Sequence, residues 1–323
     1  LKLGGWMKDR LSLGFATFVP TQAIARARWP VTGSPVFAVL DSRSQVVALQ
    51  VGLGLKISDR LSVGAAVLGL AGLGGEIFVS SDAAGRFTSR SEQEMIARYS
   101  PIIGAQYKLP EYGLDLGLVF RAESDATFDV RVENDLINEL PLTIPPLNIG
   151  GVAQYDPLTL AIEGAWRPAA AIQLSAQVGY YKWSEFEPPT VNPVPGMPQP
   201  ESPNFSDTIV PRVSAEWRAL GAAEGAQLDV RTGYSFVMTP APEMDGQQSL
   251  LDNNRHVLAL GLGLAWPDKL PFRFDIWFQA HQLMSRTHTK DPSKFDDDDM
   301  LPFDTIDTSG RVLVGGLVMG VDL

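Results

Sequence analysis

The sequence predicts an all-β protein, a transmembrane antiparallel up-and-down β-barrel. Three observations predict it. Apolar and polar residues alternate along one segment after another, the period of a strand with two different faces. Short connections alternate with long polar ones, as in a barrel with turns at one end and loops at the other. The strands are also long. "LSVGAAVLGLAGLGGEIFV" and "SEQEMIARYSPIIGAQYK" exceed the usual five or six residues. A tilted bilayer-crossing strand needs about nine to eleven.

The elements follow in order. "DRLSLGFATFVPT" supplies a first complete strand over 10–20. "QVVALQVGLGLKISDRLSVGAAVLGL" reads as two strands, 44–57 and 60–78, joined by the tight turn Ser58-Asp59-Arg60. Strands over 93–108 and 112–131 flank the short "LPEY"; in the second, Leu114, Leu116, Leu118 and Phe120 alternate with Gly113, Asp115 and Gly117. Strands at 153–167 and 170–183 flank "RPAA", and in the latter Ile172, Leu174, Ala176 and Val178 alternate with Gln173, Ser175 and Gln177. Four more follow at 207–218, 226–238, 254–266 and 270–284. In the last of these Leu270, Phe272, Phe274, Ile276 and Phe278 form an apolar face, and Arg273, Asp275, Gln279 and His281 lie opposite. That apolar face is expected to meet lipid and the polar one a lumen. The final strand covers 310–323, so about twelve complete strands are visible by the length a crossing requires. The long connections fall at 21–43, 79–92, 132–152, 184–206, 239–253 and 285–308. Short turns are expected on the periplasmic side of a bacterial outer membrane and long loops outside. "LKLGGWM" reads as the tail of a further strand, which implies an upstream part beyond this sequence. A large soluble barrel or sandwich is the alternative.

Composition narrows the function classes. The 323 residues carry a net charge of -11, which argues against a nucleic-acid partner. No Cys is present, so disulfides and Cys-ligated metals are excluded. No apolar run is long enough for a membrane helix, and no signal peptide is visible. The three histidines, His256, His281 and His288, stand near no evident nucleophile. No Gly-x-Ser-x-Gly or His-Glu-x-x-His pattern occurs, and the chain is not expected to be an enzyme. No cofactor is expected.

Three segments near the C-terminus, "DTIVPRVSAEWR", "VRTGYSFVMTPAPE" and "LLDNNRHVLALGLGLAW", occur in an order that resembles the FadL/TodX family of outer-membrane transporters for hydrophobic compounds. "IQLSAQVGYYKWSEF" and "DRLSLGFATFVPT" add to the resemblance, which is dense over about 170–283. It implies a fourteen-stranded barrel, an N-terminal hatch, ligand bound inside and lateral release through the wall. The chain is accordingly read as one barrel domain over 1–323, with the hatch and first strand outside it. The family's hatch motif is absent, and the last residue is Leu323 where many such barrels end in Phe.

Candidate site residues are of three kinds. Arg121, Arg212, Asp229, Arg231, Arg273, Asp275 and His281 fall on lumen-facing positions; Arg212 and Arg231 lead because they lie in family-like segments. An Arg there matches a carboxylate head group through paired hydrogen bonds. Alternatively, these charges pair with one another across the lumen. Gly69, Gly72, Gly74 and Gly75 concentrate in one strand, where a bend is expected either to open a lateral gap or to curve a packed wall. Asp296, Asp297, Asp298 and Asp299 offer a weak Ca²⁺ site, or a solvated acidic loop tip. The Pro-rich 187–205 reads as a stiff outer loop.

The expected function is passive uptake of long-chain fatty acids or other hydrophobic small molecules. Expected partners are membrane lipid, lipopolysaccharide, the hydrophobic ligand and an envelope protein. The alternative is a structural or adaptor barrel in an envelope secretion or motility complex. A general porin is a third reading.

Overall fold

The structure, a computed structural model, describes residues 10–19, 35–37, 39, 46–81, 87–135, 147–186, 190–191, 201–221, 226–266, 270–295 and 303–321. The strands are β1 (Leu11–Phe18), β2 (Val36–Phe37), β3 (Ala48–Lys56), β4 (Leu61–Ser81), β5 (Phe87–Leu109), β6 (Leu114–Arg121), β7 (Ser124–Asp135), β8 (Leu147–Asp156), β9 (Leu158–Ala169), β10 (Ile172–Lys182), β11 (Thr190–Val191), β12 (Thr208–Leu220), β13 (Gln227–Val237), β14 (Leu250–Leu251), β15 (Arg255–Trp266), β16 (Leu270–Thr289) and β17 (Thr305–Val321). Fifteen of them form one sheet, and β2 pairs with β14 in a second. The wall runs β1-β3-β4-β5-β6-β9-β10-β12-β13-β15-β16-β17, each strand antiparallel to the next. Ten of these twelve match strands expected from alternation; the expected strand 153–167 is divided at Pro157 between β8 and β9, and the expected strand 112–131 between β6 and β7. No helix among the described residues is long and apolar enough to cross a membrane.

Cross-strand register sorts the side chains into two faces. Phe15, Val51 and Val67 stand in one row and are 69%, 43% and 48% exposed. Leu260, Phe278 and Gly315 form another outward row. An apolar surface this large and this exposed is the lipid-facing band of a membrane barrel. The opposite face carries Gln177, Arg212 and Ser235 in one row, as the period of two requires.

Three expected connections are in part taken up by long strands; 132–152 holds the end of β7 and the start of β8. The stretch 79–92 was expected to be a loop, but β4 runs to Ser81 and β5 starts at Phe87, leaving only 82–86 between them. β4 has 21 residues and β5 has 23, so each spans about 70 Å, more than twice a bilayer core. The hairpin therefore projects beyond the apolar band at the long-loop end. The stretch 285–308 was also expected to be a loop, yet β16 continues to Thr289 and β17 begins at Thr305.

The expected strand 112–131 is broken. β6 ends at Arg121, and its wall neighbour there is β9, with Arg121 opposite Thr159. β7 and β8 leave the wall as a hairpin, and β7 pairs in parallel with the projecting half of β4, from Leu73↔Phe128 to Ser80↔Asp135. Alternation continues through the break, so it gave no warning that the strand changes partner. Val46, Leu70, Ala126, Phe128 and Ala153 are buried where this hairpin meets the barrel.

The long-loop end is closed by a packed cap. Tyr155, Trp183, Phe205, Met244, Leu250 and Leu251 form its buried core. Trp183 centres it, with ring centroids 5.9 Å from Tyr155 and 6.3 Å from Phe205. This cluster is the ordinary hydrophobic core that the barrel wall lacks.

Candidate functional site: the lumen

Two constellations occupy the lumen. The first lies toward the short-turn end. Arg231 donates from Nε to Glu216 at 2.6 Å and from Nη1 to Asp275 at 2.6 Å. Arg273 donates to the other oxygen of Asp275 at 2.7 Å. Arg218 donates to Asp229 at 3.2 Å, and Arg231 also approaches Asp229 at 3.6 Å. Arg218, Arg231 and Arg273 thus balance Glu216, Asp229 and Asp275. Four sequence-predicted candidates, Asp229, Arg231, Arg273 and Asp275, are held in this network and satisfy one another.

The second constellation surrounds a cavity of about 480 Å³ between β9, β10, β12, β13, β15 and β16. That volume lies within the range of small-molecule sites. Trp183, Met238 and Pro240 bound it on the cap side. Its wall carries a polar chain set by strand register. Gln177 pairs with Glu163 on one side and Arg212 on the other, so all three point inward together. Gln177 donates to Glu163 at 3.2 Å, and Arg212 donates to Gln177 at 2.8 Å and to the Tyr181 hydroxyl at 2.8 Å. The guanidinium also lies 5.7 Å from the Tyr181 ring centroid, a cation–π distance. Among the described residues no carboxylate forms an ion pair with Arg212. A guanidinium has five N–H donors, so its fork keeps capacity for an anionic or polar group in the cavity.

Of the predicted residues, Arg212 and His281 line this cavity. His281 hydrogen-bonds Gln279 at 3.3 Å. Arg121 sits apart, at the end of β6 opposite Ile102. The glycines of β4 are paired on the β5 side throughout, and from Gly74 onward β7 pairs the other edge. A Cβ on Gly72 would lie 2.5 Å from the Thr127 carbonyl oxygen, so this glycine makes room for the β7 backbone. Asp296–Asp299 lie outside the described residues, among which no group of acidic or histidine side chains could hold a metal ion.

No protein-family model and no curated protein sequence matches the chain. Solved structures do. A FadL homologue from Pseudomonas aeruginosa superposes with a TM-score of 0.64, covering 97% of this chain and 74% of that one at 13% identity. The fold is that of the FadL/TodX channels. The Pseudomonas putida toluene transporter TodX superposes with a TM-score of 0.51 in two structures, at 12% and 11% identity. They cover 84% and 97% of this chain, and it covers 68% and 77% of them. The FadL-type resemblance carried by "DTIVPRVSAEWR" and its neighbours is therefore matched by the architecture.

In this FadL-type barrel, several site residues went unnoticed in the sequence. Tyr181 and Trp183 were read only as part of a strand end. Arg286 and Lys290 fell in a stretch read as loop. Ser285 to Lys290 are polar on both faces, so the apolar-polar alternation that marks the rest of β16 gives no signal there.

Proposed function

We propose that the chain is an outer-membrane channel for passive uptake of hydrophobic small molecules, long-chain fatty acids among them. One observation carries this reading: the lumen holds a roofed cavity whose wall presents Arg212 without a carboxylate partner among the described residues. The lipid-facing band and the FadL-type fold supply its setting. Arg212 orients a ligand head group while the apolar parts of Trp183, Val210, Val257 and Met238 meet its tail. No covalent chemistry is required. The long loops face the outside and the short turns the periplasm. Release is lateral, and the break in the wall after Arg121 supports it: β5 pairs with β6 only from Ile102 onward.

The test is ligand binding to the full chain in lipid nanodiscs, with oleate and an alkylbenzene as probes. Saturable binding is expected, and Ser235→Trp, which fills the cavity, abolishes it. Absence of saturable binding by either probe overturns the reading.

A second reading, an adaptor barrel, is favoured by the projecting sheet β11-β8-β7-β4-β5. Its outermost strand carries Arg90, Glu92, Glu94 and Arg98, and no strand among the described residues pairs with its far edge above Pro101. A stoichiometric protein partner lost on deletion of this hairpin is the outcome that supports it.

A further inference from the structure

The upper end of β16 grips the cap loop 239–253 through three basic side chains on one face. Arg286 Nη1 donates to the carbonyls of Ala241 at 2.8 Å and Asp252 at 3.1 Å. The Met244 amide donates to His288 Nδ1 at 3.1 Å. Lys290 Nζ donates to the carbonyls of Met244, Gly246 and Gln248 at 3.0, 2.8 and 3.1 Å, and to Ser249 Oγ at 3.2 Å. These residues lie past Met284, the last exposed large apolar side chain of β16. The gripped loop is also the lid, because its Pro240 and the adjacent Met238 line the cavity and its Met244 lies in the cap core.

His288 is the one member of this set whose ordinary pKa lies near neutrality. It is fully buried. Because Nδ1 accepts from the Met244 amide, the ring is the neutral tautomer with its proton on Nε2. Nε2 itself is buried without a hydrogen-bond partner. The charged groups acting on the ring are Arg286 and Lys290 from its own strand and Glu243 from the loop; its pair on β17 is the uncharged Ile306.

We propose that His288 is an acid-sensitive latch: its neutral ring holds loop 239–253 over the cavity, and its protonation releases the loop and admits ligand. A proton on Nδ1 would face the Met244 N–H, replacing an acceptor with a second donor. It would also add a third cation between Arg286 and Lys290 at a fully buried position.

Burial, then the two cations, hold the His288 pKa below its ordinary value, with Glu243 opposing. The closed cap therefore binds fewer protons than the open one, and the closed state gains stability as pH rises. The closed-to-open ratio falls by at most about tenfold per pH unit below about 6.5. Asp252, in the same loop, works in the opposite sense. Burial raises its pKa, so acid by itself would tighten the cap through Asp252.

The latch rests on the cavity being the ligand site, and the test separates the two. Hydrogen-exchange protection of 241–249 is measured without ligand on the full chain in nanodiscs, from pH 7.5 to 5. Oleate association is measured in parallel. Protection should fall on acidification in the native chain and should not fall in His288→Gln, whose amide oxygen still accepts from Met244. Glu243→Gln, which removes the carboxylate that favours the charged ring in the closed cap, should move the fall in protection to higher pH. Protection independent of pH in the native chain, or falling equally in His288→Gln, overturns the latch. Protection that falls while oleate association stays constant supports the latch on the loop and overturns the cavity as the ligand site.

Discussion

Arg231 on β13 bonds Asp275 on β16 at 2.6 Å although β15 runs between the two strands. Gly263 of β15 permits it. A Cβ there would lie 2.7 Å from Asp275 Oδ1 and 3.0 Å from Arg231 Nη2. The bond thus joins next-nearest strands over a gap in the intervening one, and it anchors the balanced charge network of the lumen.

Gly263→Val should break that contact and destabilise the barrel by about 1–3 kcal/mol, the cost of leaving polar groups unmade. Gly261→Ala is the control, because its Cβ would meet Arg231 Cβ at 3.5 Å, an ordinary contact. Thermal loss of the folded, heat-modifiable band on gels reads both. Equal melting of the two variants would show that the bond is not held by the glycine.

Arg212→Ala should weaken oleate binding about 10- to 100-fold, from the loss of one charged hydrogen-bond group. Binding of an alkylbenzene should not change. Arg231→Ala, whose partners are carboxylates of the network, should alter stability and spare both affinities. Equal loss for both ligands in Arg212→Ala would mean the residue shapes the cavity and does not recognise a head group.

Leu317 and Val318 are neighbours on β17 with opposite faces. Leu317 pairs with Ile276 on the lipid side, and Val318 pairs with Asp275 on the lumen side. Leu317→Arg should cost about 2–4 kcal/mol, the penalty for a cation near the bilayer midplane. Val318→Arg, beside Asp275, should fold as the native chain does. Folding yield into vesicles distinguishes them, and similar yields would reverse the assignment of faces.

Trp183→Ala should loosen the cap without opening the wall. The side chain is 5% exposed, and truncating a buried Trp costs about 3–5 kcal/mol. Limited proteolysis should cut within 201–207 while β12 and β13 stay protected. Cleavage unchanged from the native chain would show that the cap core does not depend on Trp183.

The wall was largely legible because its physics is local. Leu258, Leu260 and Leu262 alternate with Ala259, Gly261 and Gly263, and a strand must send alternate side chains to opposite faces. The long-loop end was not legible. There β5 and β16 continue past the lipid band with polar residues on both faces, Arg90 and Ser91 or Arg286 and Thr287, so alternation fades although pairing persists. The turn from β6 into β7 was hidden for the opposite reason, because alternation persists while the partner changes.

The same division runs through the lumen. Sequence placed Arg212, Arg231, Asp275 and His281 on inward positions, since facing depends only on parity along a strand. Which charges neutralise each other depends on register between strands far apart in the chain, such as Arg212↔Gln177 and Asp275↔Gly263. Local periodicity was therefore enough to specify a membrane barrel, most of its wall strands and its two faces. That Arg231 is spent in a closed network, that Arg212 faces a cavity, and that Arg286, His288 and Lys290 clamp its lid emerged with the assembled fold. Those outcomes rest on pairings between distant segments, and pairing is a property of the assembled sheet.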